Sequence, residues 1–169
     1  MSAETVAVVV VTYNRAALLT RMLAGLAALD RRPDAVIVVD NASTDHTATV
    51  LDGVHDLPLQ VIRPDENLGG AGGFHAGVRA AFEQGFDRIW LMDDDVIPAP
   101  DCLDELLSVD EDCLMAVRED TSGRLVEKAA LTFDLHNPIR LKPKTAMVET
   151  TYGARALSLI HISEPTRPY

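Results

Sequence analysis

Thr5 to Thr12, Thr-Val-Ala-Val-Val-Val-Val-Thr, is an unbroken apolar, mostly β-branched run. Successive side chains of a strand point to opposite faces, so a run without polar interruption leaves no face for water. A chain containing it must cover that strand on both sides, as the central strands of parallel sheets are covered. The segments that follow repeat the unit. Leu18, Leu19, Met22, Leu23 and Leu26 fall at helical spacing, with Thr12 or Asn14 available as a cap. Pro33 ends that connection, and Ala35 to Val39 reads as a second buried strand closing on Asp40-Asn41. Ser43, Thr44 and Asp45 offer caps for a short helix to about Leu51, and Leu59 to Ile62 is a third strand. A Gly-rich stretch, Asn67 to Gly73, precedes a helix over Phe74 to Gln84, with Gly85 suited to the position after its end. Arg88 to Met92 is a fourth strand, and Asp101 caps a helix to about Leu107.

Strand and helix in alternation predict an α/β fold with a doubly wound, mostly parallel sheet and flanking helices. Ligands of such sheets sit at the carboxyl ends of the strands. Thr12 to Arg15, Asp40-Asn41, Asn67 to Gly73 and Asp93-Asp94-Asp95 all fall on that edge. Beyond Thr121 the pattern weakens. Gly123 to Leu131 and Thr145 to Thr151 read as strands of an extension, and Leu135 to Lys144, with two prolines, as loop. Leu157 to Pro168 resembles the conceptual translation of a transposase-type sequencing adapter. The expectation is a natural sequence interrupted near Ala156, with residues 157–169 an artefactual, disordered tail.

Charge narrows the function classes. Residues 93–120 hold 11 acidic groups and one basic group within a chain of net charge −11. A nucleic-acid partner bound by a basic face is therefore not expected. An anionic ligand would be repelled here unless a cation intervened. Two cysteines, Cys102 and Cys113, form neither a disulfide framework nor a zinc pattern, and suit reduced thiols in cytoplasm. No basic-then-apolar leader precedes the first strand.

Each strand end admits two readings. Asp93-Asp94-Asp95 after a buried strand concentrates charge that burial alone would not favour. It is either a divalent-metal site for a diphosphate or a solvated acidic loop. Asp40 can accept from the N3–H of a uracil-like base, or belong to the capping run that follows. Thr12 to Arg15 can contact a base and a phosphate, or be an ordinary strand-to-helix turn. Asn67 to Gly73 lets backbone approach a ligand and leads into a helix N-terminus that favours anions, or is a flexible loop. The stretch is neither a dinucleotide fingerprint nor a P-loop. His46 and His75 read as surface or cap residues, and Trp90 as core. An EF-hand fails because Ile97 and Pro98 stand where an oxygen ligand and a glycine are needed. A haloacid-dehalogenase-like phosphatase would use Asp93 as nucleophile, but that motif follows a first strand rather than a fourth.

Val10 to Arg15, Val39 to Asp45, Asn67 to Gly70 and Trp90 to Asp95 together resemble, in order and spacing, the family 2 glycosyltransferases of the GT-A fold. The stretch from Asn67 to Gly77 followed by the triplet is most similar to the bacterial galactofuranosyl- and rhamnosyltransferase branch. The resemblance implies an inverting, metal-dependent transferase that moves sugar from a UDP- or dTDP-sugar to a glycan or lipid-linked acceptor, for cell-envelope polysaccharide. It implies that Thr12, Tyr13 and Arg15 line the base and diphosphate pocket and that Asp40 reads the base. Asn67, Gly69 and Gly70 would lie along ribose and diphosphate, and Asp93 and Asp94 would contact ribose and sugar. Asp93 and Asp95 would hold Mn²⁺ or Mg²⁺. It further implies a cytoplasmic protein, free or peripheral at the cytoplasmic face of the inner membrane. Residues 1–120 would form the donor-binding domain and 121–156 the start of an acceptor-side extension. The family's general base lies well downstream of the metal motif, and Glu127, Asp134 and Glu149 stand in no recognisable acidic motif. The expectation is a fragment that binds donor but transfers little or no sugar. The alternative is a non-catalytic nucleotide-binding fragment.

Overall fold

The computed structural model describes residues 4–109, 113–114 and 156–161. The first buried run becomes β1 (Val6–Thr12), with β2 (Ala35–Asp40) on one side and β4 (Arg88–Asp93) on the other, both parallel to it. β3 (Leu59–Ile62) pairs with β2, so the parallel part of the sheet runs β3-β2-β1-β4. Val6, Val8, Val9 and Val10 are completely buried. Burial of these four side chains contributes a gross ~6–12 kcal/mol before conformational entropy is charged.

The two faces of β1 carry different cover. Val6, Val8 and Val10, with Val36, Val38, Trp90 and Met92, pack under α1 (Ala16–Ala27), α2 (Thr47–Asp52) and α4 (Cys102–Leu107) through Leu19, Met22, Leu26, Leu51, Leu103 and Leu106. Ala7, Val9, Ile37 and Ile89 pack under α3 (Gly69–Glu83). Strand progression turns back between β1 and β4: β2 and β3 add on one side of β1, β4 on the other. In an open parallel sheet, that reversal opens a crevice beyond the carboxyl ends of the two diverging strands.

Several boundaries differ from the sequence expectation, each for a local reason. α3 begins at Gly69, five residues before Phe74, so the Gly-rich stretch is largely helical. A Cβ on Gly73 would lie 2.6 Å from Cγ1 of Val11, and one on Gly77 would collide with Cγ1 of Val9. These two glycines let the helix sit directly on β1; they are packing residues, not loop residues. The cap of α1 is neither Thr12 nor Asn14. Asn14 has φ 54° and accepts from the Thr44 amide at 2.7 Å, while the Ala16 amide donates to Asp45 Oδ2 at 3.1 Å. Asp45 also accepts from the Thr47 amide at 2.9 Å, so one carboxylate serves the starts of α1 and α2. Asp101 occupies the N-cap of α4 without a side-chain capping bond. Gly85 stands where expected, at φ 77°, with the Gly85 and Phe86 amides bonded back to Phe82 and Ala81.

Ala156–His161 forms β6, antiparallel to β4, and Cys113–Leu114 forms β5 against it. The expectation that residues 157–169 have no ordered place is corrected for 157–161. The open edge of β4 presents unpaired backbone groups to any apolar segment of β-forming residues, whatever its origin. The readings of 123–131, 135–144 and 145–151 fall outside the described residues. Among the described residues, no helix is long and apolar enough to cross a membrane.

Candidate functional site

The reversal between β1 and β4 is closed by a buried carboxylate. Asp94, just past β4 and 4% exposed, accepts from Thr12 Oγ1 at 2.7 Å and from Arg15 Nη1 at 3.0 Å. Burying a carboxylate is costly unless it is paired and hydrogen-bonded, and both oxygens of Asp94 are engaged. Thr12 and Arg15 are thus placed by the acidic triplet, eighty residues away in sequence. The same Arg15 nitrogen lies 3.5 Å from Asp95 Oδ2. Asp93 stands opposite Val11 in the β1–β4 register.

The facing wall is set by Asn41, a residue that the sequence reading did not assign to the site. Asn41 is 2% exposed. Its Nδ2 donates to Asn67 Oδ1 at 2.9 Å and to the Gly69 carbonyl at 3.1 Å, and its Oδ1 accepts from the Leu68 amide at 2.9 Å. Asn67 Oδ1 accepts also from the Gly69 amide at 2.8 Å. The end of β2 therefore fixes the entry to α3. Gly69 takes φ 69°, and at Gly69 and Gly70 an added Cβ would meet open space. These are the glycines that face outward, in contrast to Gly73 and Gly77.

Between the walls lies a cleft of about 490 Å³. Thr12, Tyr13, Arg15, Asn67, Gly69, Gly70 and the three aspartates all line it, as do Asn41 and Phe74. Tyr13 is 45% exposed, so its ring is available to a ligand. Asp40 is the expected residue that does not line the cleft. It pairs with Thr12 in the sheet register, accepts from the Ser43 amide at 3.1 Å, and lies 3.8 Å from Arg63 Nε. Phe74 escaped notice because the helix was expected to begin there rather than a turn earlier. Among the described residues no group of three or more histidine, cysteine, aspartate or glutamate side chains makes a metal cage of protein atoms alone. Glu127, Asp134 and Glu149 lie outside the described residues.

A doubly wound sheet with acidic, glycine-rich and tyrosine-bearing strand ends gathered at its reversal is an α/β domain of the GT-A type. The chain belongs to glycosyl transferase family 2, which it matches over residues 7–133. It is 43% identical over 96 residues to galactofuranosyltransferase GlfT1 of Mycolicibacterium smegmatis, covering 57% of this chain and 32% of that protein. The chain thus spans about a third of the length of the curated relatives that it matches. Among solved structures it is similar to the mannosyltransferase PcManGT of Pyrobaculum calidifontis, determined with GDP-Man and Mn²⁺. That likeness has a TM-score of 0.62 and 28% identity, over 70% of this chain and 37% of that one. It is also similar to residues 1–349 of S. aureus TarS with UDP-GlcNAc, at TM-score 0.60 and 27% identity, over 71% and 36% of the two chains.

Proposed function

We propose that this chain carries the donor site of an inverting, metal-dependent glycosyltransferase that takes a UDP- or dTDP-sugar. The observation that carries the reading is the cleft at the sheet's reversal, where the Thr12–Asp94–Arg15 network ties the acidic triplet to the end of β1 and Asn41 fixes the glycine-rich helix start opposite. The exposed ring of Tyr13 offers a face to the base. The N-terminus of α3 at Gly69 and Gly70 favours an anionic diphosphate, and no Cβ stands in its way. Asp40, outside the cleft and bonded to Ser43, serves the loop that carries Asn41 more directly than it serves a base.

Asp93 and Asp95 fit a hard divalent cation. Both line the cleft, and Mg²⁺ in particular takes one or two carboxylates and completes its shell with substrate phosphates. Such an ion would supply positive charge to the nucleoside diphosphate as it leaves the anomeric carbon. Asp94 keeps its oxygens on Thr12 and Arg15, so its part is to hold the site together.

The relatives named galactofuranosyltransferase point to a galactofuranose donor, and the acceptor would be a glycan or lipid-linked glycan at the cytoplasmic face of the membrane. The test is a thermal-shift series with Mn²⁺ and UDP-, dTDP- and GDP-sugars, UDP-galactofuranose included. A ligand at 100 times its Kd stabilises by about 2.7 kcal/mol. Melting points unmoved by every pair of metal and nucleotide sugar would refute the reading. The family assignment leaves the phosphatase alternative without support.

A further inference from the structure

We propose that Asn14 is a positioning residue: its left-handed turn, clasped by the loop between β2 and α2, sets the direction in which Tyr13 enters the cleft. Only the role of the ring as a ligand contact rests on the donor-site reading above. Tyr13 lines the cleft at 45% exposure. Among the described residues no hydrogen bond reaches its hydroxyl, so its placement depends on packing and on the backbone that carries it. That backbone is held on both sides. Ahead of Tyr13, the Asn41 amide donates to the Thr12 carbonyl at 2.9 Å. Beyond it, the Asn14 amide donates to Ser43 Oγ at 3.0 Å. Asn14 Oδ1 accepts from the Thr44 amide at 2.7 Å and takes longer bonds, 3.3 Å each, from the Thr44 hydroxyl and the Asp45 amide.

Asn14 holds φ 54° and Ala42, in the clasping loop, holds φ 61°. Left-handed backbone is unfavourable for residues with a Cβ, though asparagine tolerates it better than most. It persists where surrounding bonds over-determine it, and such positions gather at ligand sites. Here the two loops supply the bonds. Asn14 shares four with Ser43, Thr44 and Asp45, and the Ala42 amide turns back to the Asp40 carbonyl at 2.8 Å. The turn at Asn14 separates Tyr13, just past β1, from Arg15, the N-cap of α1. Both of those residues line the cleft, whereas residues 42–45 do not. A negative φ at Asn14 would swing the chain that carries one of them relative to the chain that carries the other. The β2–α2 loop thereby fixes the spacing of two cleft residues from outside the cleft.

The test labels the full chain with fluorotyrosine and follows the fluorine NMR line of Tyr13, assigned by its loss in Tyr13→Phe. The parent should give one narrow line. Asn14→Gly keeps the turn without the side-chain bonds, Asn14→Ala keeps neither, and Ser43→Ala removes one bond from the far side of the clasp. Each should broaden, split or displace the Tyr13 line, Ser43→Ala least. Asn14→Asp keeps an acceptor oxygen and the tolerance for positive φ, and should restore a single narrow line. Calorimetry with UDP and Mn²⁺ reads the consequence for the cleft. Asn14→Gly should weaken UDP about three- to tenfold, the worth of one aromatic contact. Melting curves establish that each variant is folded at the temperature used, and Ser43→Ala carries the test if substitutions at residue 14 do not fold. A Tyr13 line unchanged in the folded variants overturns the proposal, as does an Asn14→Asp line as broad as that of Asn14→Ala. UDP affinity unchanged in Asn14→Gly, where the parent binds UDP, overturns it too. If the parent binds neither UDP nor a nucleotide sugar with Mn²⁺, the donor-site reading fails, and the fluorine spectra still decide the role of Asn14.

Discussion

Replacing Asn41 by aspartate exchanges one nitrogen for an oxygen and reverses the sense of two hydrogen bonds. The new oxygen would face Asn67 Oδ1 at 2.9 Å and the Gly69 carbonyl at 3.1 Å, both acceptors. Rotating the Asn67 amide cannot repair the contact without breaking the 2.8 Å bond from the Gly69 amide. Two lost bonds cost about 1 kcal/mol each, and a buried carboxylate facing acceptors costs a further ~1–3 kcal/mol. The retained bond from the Leu68 amide becomes charge-assisted and returns ~1 kcal/mol. The net loss is therefore about 2–4 kcal/mol, or at least about 8 °C in Tm for a domain near 100 residues. Urea unfolding reads the global loss, and hydrogen exchange at the Leu68 and Gly69 amides reads local release of the wall. The defect should narrow toward about pH 4, where a neutral acid donates one bond again. A variant within about 0.5 kcal/mol of the parent, with protection at Leu68 intact, would refute the role assigned to Asn41.

Four further outcomes follow from the same geometry. Thr12→Val removes a donor from buried Asp94 and should cost about 1.5–3 kcal/mol in urea unfolding. Gly77→Ala gains up to about 1 kcal/mol in helix propensity but drives a methyl into Val9, so a net loss of stability is expected by thermal melting. The Asp45 carboxyl is held below its ordinary value, first by the Thr47 hydroxyl and then by the Ala16 amide. Its stabilising contribution is complete above the unfolded value of 3.8 and is lost as pH falls through the lower folded value. Asp45→Asn should therefore flatten the acid limb of a stability-against-pH curve. Burial, followed by the charges of Asp101 and Glu105, pushes the Cys102 thiol up to about 12, so native protein at pH 8 should resist iodoacetamide at Cys102 and urea should abolish that protection, as peptide mapping would show.

The strands were the most legible part of the chain. A run such as Val6 to Val10 has one solution, burial on both faces, and β3 fell on Leu59–Ile62 as read. Caps were less legible because they act across the chain: Asp45 caps a helix 29 positions earlier, and no local pattern announces it. Asn67 to Gly73 reads as a ligand-approaching stretch ahead of a helix that starts at Phe74, whereas α3 already begins at Gly69. What decides the matter is the distance between α3 and β1, a tertiary quantity. The site was legible as a set of strand ends, since a parallel sheet must bring them to one edge. The division of labour within it was not. Asp94 differs from Asp93 and Asp95 only by which partners reach it, and Asn41 differs from Asp40 by which side of the strand end it serves.

The contact of Gly73 and Gly77 with Val11 and Val9 has a consequence for how this cleft can change. With no helix side chain at these two positions, α3 rests on Val11 and Val9 as on a hard stop. It cannot move inward, and sliding along β1 would strike the neighbouring valines. On the donor-site reading proposed above, a sugar or base of different size would be accommodated by the turn at residues 67–70, the Tyr13 ring or the Arg15 side chain. On that reading the scaffold behind them stays still, and new donor preferences would be reached through a handful of surface positions without a redesign of the core.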